Sequence, residues 1–140
     1  MKEGDKMKNQ KLVFKSSIKE NPLHIMLGLF QIAIGIHLVL SDQYFIWPPV
    51  LSGIANDDIF GGAFVVLGTL LLYWVIDFNR SVRFDHALLI VSAFMMTFLT
   101  CLQLAHFIKL GIDMPWISNA ALTVVVFYLA KRSDSGSASL

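Results

Sequence analysis

Six polar side chains stand in or beside long apolar runs: His24, His37, His86, His106, Gln31 and Gln103. These are the groups that could move a proton or hold a cation. An imidazole titrates near neutrality, and its charge is costly at membrane depth, so a histidine there is a functional candidate by default. His24 and His86 open two apolar runs, and His37 and His106 lie near the far ends of the same two. The spacing predicts two histidine layers, with His37 and His106 facing each other beneath Asp42 and Asp113. Such a layer would take a proton or a divalent cation. With Gln31 and Gln103, the pair His37 and His106 traces a candidate polar pathway or proton site. The competing reading is two histidines near water at span ends, with no task.

Enzymatic chemistry has no comparable signal. The chain has no HExxH, no phosphate-binding glycine loop and no nucleophile–base pair. Gly61-Gly62 lies inside an apolar run, where no phosphate loop would form. The one cysteine, Cys101, has no disulfide partner and no metal-ligand spacing. The expectation is a non-enzyme, with no catalytic residue, cofactor or metal.

The elements that must position these side chains follow from composition. Of 140 residues, 56% are hydrophobic and only 15% charged. Soluble domains carry about a quarter charged residues, so the deficit points to lipid as the solvent. Net charge is +1, which gives no basic surface for nucleic acid. Runs free of Asp, Glu, Lys and Arg predict four spans, about 22–40, 59–76, 87–108 and 114–130. About 17 to 25 residues cross a hydrocarbon layer. Apolar residues surround each run, as lipid-embedded helices require. Asn21-Pro22, Asp57-Asp58, Asp85 and Asp113 supply helix-start signals. The loop 41–58 contains QYFIWPPVLSGIAN, too short and too proline-broken to span. Its aromatics suit an interfacial or partly re-entrant loop.

Charge orients the spans. The N-terminal tail 1–20 carries six lysines, the turn between spans two and three carries Arg80 and Arg83, and the tail 131–140 carries Lys131 and Arg132. The opposite side has Lys109. Cytoplasmic loops collect Lys and Arg, so Arg80, Arg83, Lys131 and Arg132 act as topology determinants. The expected fold class is all-α: an antiparallel four-helix transmembrane bundle, up-down-up-down, in the cell (plasma or inner) membrane with both termini cytoplasmic. The first apolar run lacks a small-x-small cleavage site and is expected to stay as an anchor. KLVFKSSIKE is read either as a weakly amphipathic piece on anionic headgroups or as a solvated tail. SDSGSASL is expected to be disordered.

Small and polar residues inside the spans mark packing seams. His24, Gly28, Gln31 and Gly35 are spaced four, three and four apart, and Gly61 and Gly68 seven apart. Gly28, Gly35, Gly61 and Gly68 are therefore the expected helix-packing residues. Ala93, Met96, Thr100 and Gln103 form a further stripe that His106 continues, and Asn119 and Thr123 lie four apart.

LGLFQIAIGIHLVLSD followed by DDIFGGAFVVLGTLLL resembles the first two helices of DoxX-like four-span proteins. The likeness lies in the glycine rows and in the GG opening the second helix, and it covers about half the chain. It implies a membrane redox-linked subunit. The basic residue expected in the first helix region is absent, so no functional residue is carried over. The opening MKEGDKMKNQ, with Met1 and Met7 as two candidate initiators, is similar to the start of some phage holins. That resemblance implies membrane permeabilisation, although holins have fewer spans and longer basic tails. The leading expectation is a small multi-pass protein acting through helix–helix association as an accessory or assembly protein. Its partners are the bilayer and either its own copies or another membrane protein. The alternatives are an oligomeric pore or small transporter, including a holin-like one, and the DoxX-like subunit.

Overall fold

A computed structural model describes residues 3–41, 43–77 and 81–137. All regular elements among them are helices: α1 (Glu3–Glu20), α2 (Pro22–Val39), α3 (Pro49–Ala55), α4 (Asp58–Ile76), α5 (Val82–Leu110) and α6 (Trp116–Ser137). Three of these, α2, α4 and α5, are long and apolar enough to cross a membrane. The apolar part of α6 ends at Ala130, and Lys131 and Arg132 occupy its next turn.

Local chemistry sets the helix ends, sometimes away from the expected positions. Pro22 occupies the first turn of α2, where a missing N–H costs nothing. Asn21 holds the capping position without a capping side-chain bond. Asp57 caps α4 by accepting from the Ile59 N–H at 3.0 Å. The third span begins earlier than its apolar run: Ser81 accepts from the Phe84 N–H, so α5 starts at Val82 and takes Arg83 and Asp85 into its first turn. Gly111 ends α5 at φ 65, a left-handed conformation that suits a residue without Cβ. Asp113 does not begin α6, which opens at Trp116 after Pro115. The final tail, expected to be disordered, continues α6 to Ser137, and the N-terminal tail is the helix α1. Arg80 and Asp42 lie outside the described residues.

On α1, Lys8, Lys11, Lys15 and Lys19 recur at helical spacing and are exposed, beside a stripe of exposed Met7, Phe14 and Ile18. A groove lined by Met7, Lys11, Phe14 and Ile76 separates this stripe from the end of α4.

The long helices form two antiparallel pairs. In the first, α2 lies against α4, the most extensive contact in the molecule. Glycines make it close: Gly28 meets Gly68, and Gly35 meets Gly61. A Cβ placed at Gly35 would stand 2.5 Å from the Gly61 carbonyl oxygen, and one at Gly68 2.5 Å from that of Gly28. In the second pair α5 lies against α6, with the Thr100 and Thr123 hydroxyls 3.3 Å apart. Contact between the pairs is much thinner, through α4–α5 and α2–α6. Leu27, Phe64, Leu89, Met96 and Leu99 fill the space between them and are fully buried. The outer faces are apolar too: Phe94 is 70% exposed, Ile59 78% and Val124 67%. A water-soluble domain does not present apolar surface on this scale.

Candidate functional site

The seam between the two helix pairs is where the buried polar side chains meet. One face of α5 carries Asp85, Ser92, Gln103 and His106, all at least nine-tenths buried. Their spacings of seven, eleven and three keep them on one side of a helix. Each bonds across the seam to α2 or to the loop that follows it.

At the basic end, His24 Nε2 lies 3.1 Å from Asp85 Oδ1, and the Ser133 hydroxyl donates to Asp85 Oδ2 at 2.8 Å. Trp74 lies against the His24 ring at 5.1 Å and donates its indole N–H to the Ser81 carbonyl at 3.0 Å. The starts of α2 and α5 and the ends of α4 and α6 therefore converge. A cavity of about 190 Å³ opens among Asn21, His24, Trp74, Asp85, Arg132 and Ser133. The partner of His24 is Asp85, the residue before His86 on the first turns of α5. His86 keeps a buried Nδ1 without a hydrogen bond among the described residues.

Halfway along the seam, Gln31 is fully buried. Its Oε1 accepts a long 3.4 Å bond from Ser92, and its Nε2 has no partner among the described residues. Beyond it the seam is filled by Met96 and Leu99, so the polar groups do not form a continuous path.

At the other end the loop 43–57 folds back over α5. Asn56 ties it to itself, accepting from the Phe45 N–H at 2.8 Å and donating to the Phe45 carbonyl at 2.7 Å. His106 ties it to α5: Nε2 accepts from the N–H groups of Ile46 at 2.9 Å and Trp47 at 3.0 Å. Nδ1 therefore carries the hydrogen and donates to the Leu102 carbonyl at 3.0 Å. Both ring nitrogens are occupied, which leaves no lone pair for a metal. His37 is exposed and does not face His106. The rings of Tyr44 and Phe45 stand between them, in a chain with centroids 5.3, 4.8 and 5.4 Å apart. Among the described residues no three His, Cys, Asp or Glu side chains gather as metal ligands.

Gln103 links three elements. Asn119 donates to its Oε1 at 2.7 Å, and its Nε2 donates to the Tyr44 hydroxyl at 3.3 Å. A cleft of about 240 Å³ lies beside this chain, lined by Ala33, Ile34, His37, Leu38, Leu99 and Pro115 together with the three polar residues. Burial pushes the Tyr44 phenol above its usual 10.0, and the Gln103 bond offsets part of that rise. Of the topology residues, Arg83 is exposed on the first turn of α5, and Lys131 and Arg132 are exposed near the end of α6.

Asp85 stands in the sequence as a helix-start residue; its bonds to His24 and Ser133 across the fold are not visible there, nor is the clasp that Asn56 makes on Phe45 within its own loop. For Asp85 a signal existed, since it lies seven residues before Ser92 on the stripe that leads to Gln103. For Asn56 there was none.

Replacing His106 with phenylalanine removes the acceptor from two part-buried N–H groups, each at a cost of about 1 kcal/mol or more. Hydrogen exchange at the Ile46 and Trp47 amides should then accelerate about 10- to 100-fold. Unchanged exchange at both amides would show that His106 does not hold the loop.

Comparison of the chain with protein-family models, curated proteins and solved structures finds no match.

Proposed function

We propose that the chain is a four-span integral membrane protein with both termini in the cytoplasm, acting through helix association as an accessory or assembly protein and not as an enzyme. The observation that carries this reading is how its buried polar groups are used. His24, Asp85, Ser92, Gln103, Asn119 and His106 bond helix to helix or helix to loop.

The four-span arrangement is supported by the convergence of helix starts and ends on one side, and by the apolar outer faces. Orientation is supported by the basic residues, ten of the eleven lying on the side of α1, Arg83, Lys131 and Arg132. There α1 lies along the anionic inner leaflet, with its lysine stripe on the headgroups and Met7, Phe14 and Ile18 below them. A compartment-sensitive reporter fused after Leu140 should signal only from the cytoplasm, and one inserted after Gly111 only from outside. Reversed signals would overturn the orientation, and matching signals the crossing count.

Association is tested by placing a photocrosslinker at exposed Phe94 or Val124 in native membranes, where a distinct, larger partner is the expected product. Capture of copies of the chain alone selects a second reading, an oligomeric pore or small transporter. A cavity at each end of the thin seam, and a Gln31 Nε2 without a partner among the described residues, support that reading; Met96 and Leu99 close the seam between them, so conduction would need the two helix pairs to part. It predicts a flux into vesicles that Gln31→Leu reduces.

A further inference from the structure

Beyond helix association, we propose that the cleft beside Tyr44 binds a small, neutral, mostly apolar molecule that carries one hydrogen-bond acceptor, with an aryl ketone as the model chemistry. Its volume of about 240 Å³ holds a compact ring compound, not a large one. Its walls are Ala33, Ile34, Leu38 and Leu99, and no Asp, Glu, Lys or Arg lines it. His37 also lines it but is exposed to solvent, so a charged ligand would lose its water there with no permanently charged side chain beside it.

The polar side has a direction. Asn119 donates to Gln103, and Gln103 donates to the Tyr44 oxygen. The Tyr44 oxygen is therefore the acceptor of that bond, and its own hydrogen completes no bond among the described residues. Aligned bonds polarise one another, so the last donor in the row is strengthened. Burial also keeps the phenol protonated. A lipid acyl chain could fill the volume, but it would leave this donor facing hydrocarbon, which is costly. A carbonyl oxygen supplies the missing acceptor, and the apolar body of the molecule occupies the remaining space.

The test is photolabelling of the full chain in detergent micelles with benzophenone, which is both an aryl ketone and a crosslinker. Saturable adducts are expected on Ile34, Leu38 and Leu99. Acetophenone should compete for them. Diphenylmethane, similar in shape but without the carbonyl, should compete about five- to tenfold less well, as expected for one lost hydrogen bond. Tyr44→Phe should remove that difference while leaving helix content unchanged by circular dichroism. Ala33→Phe, which narrows the cleft, should abolish the adducts. Adducts spread over the exposed faces at Phe94, Val124 and Phe127 would overturn the proposal, as would equal competition by diphenylmethane with Tyr44 in place. Neither result bears on the capture of a partner protein, so the two readings fail separately.

Discussion

Gly35→Leu separates α2 from α4 and yields a chain that unfolds at a much lower fraction of SDS in mixed micelles. Even the first added carbon has no room. A Cβ at Gly35 would lie 2.5 Å from the Gly61 carbonyl oxygen and 2.8 Å from the Val65 nitrogen. Those are backbone atoms and cannot rotate away. Gly35→Ala is expected to cost about 3 kcal/mol, the upper end for overpacking, and the longer side chain removes the close approach altogether. The cost is high because membrane helices gain little from excluding water and depend on close van der Waals contact. Gly62 supplies the control. It is adjacent to Gly61, but a Cβ there meets nothing within 4 Å. Gly62→Ala should be neutral or stabilising by up to about 1 kcal/mol through helix propensity. A Gly35→Leu chain as resistant to SDS as its parent would refute the close pairing.

Asp85→Leu is the second large effect, with an expected loss of about 3–5 kcal/mol. The carboxylate is buried, with His24 on one oxygen and the Ser133 hydroxyl on the other. Removing it takes the partner from the buried His24 ring at the junction of α2, α5 and α6, and that buried, unpaired ring sets the size of the loss. Converting both ends, His24→Leu with Asp85→Leu, should therefore recover much of the stability, because a well-packed apolar pair can replace a buried polar one. SDS unfolding of the two single variants and the double variant closes the cycle, and the expected coupling is about 0.5–3 kcal/mol. Additive losses would mean that the two residues act separately.

These two sites differ in how far the sequence revealed them. Gly28 and Gly35 are seven apart, as are Gly61 and Gly68. Equal steps on antiparallel helices stay in register, so spacing along the chain already marked the close face. The sequence places His24 and His86 at the same end of the spans, but the bond of His24 goes to Asp85, one residue from His86. On a helix, one residue is a rotation of about 100°, so depth along the span does not say which of two neighbours faces His24. His106 was legible as a polar residue near the end of a span. Its use was not, because it binds backbone N–H groups about sixty positions away in a loop whose path sequence does not specify.

By itself, the sequence determined the apolar solvent, the helical class, the bias of basic residues and the stripe of small residues on α2. All of these depend on residue type and local period. Tertiary structure decided that the helices form two close pairs with a thin seam between them, and that Asp85, Gln103 and His106 face across that seam. Those outcomes depend on which surfaces meet. A helical period shows which side chains share a face, but the neighbour that covers the face is chosen by packing over the whole chain.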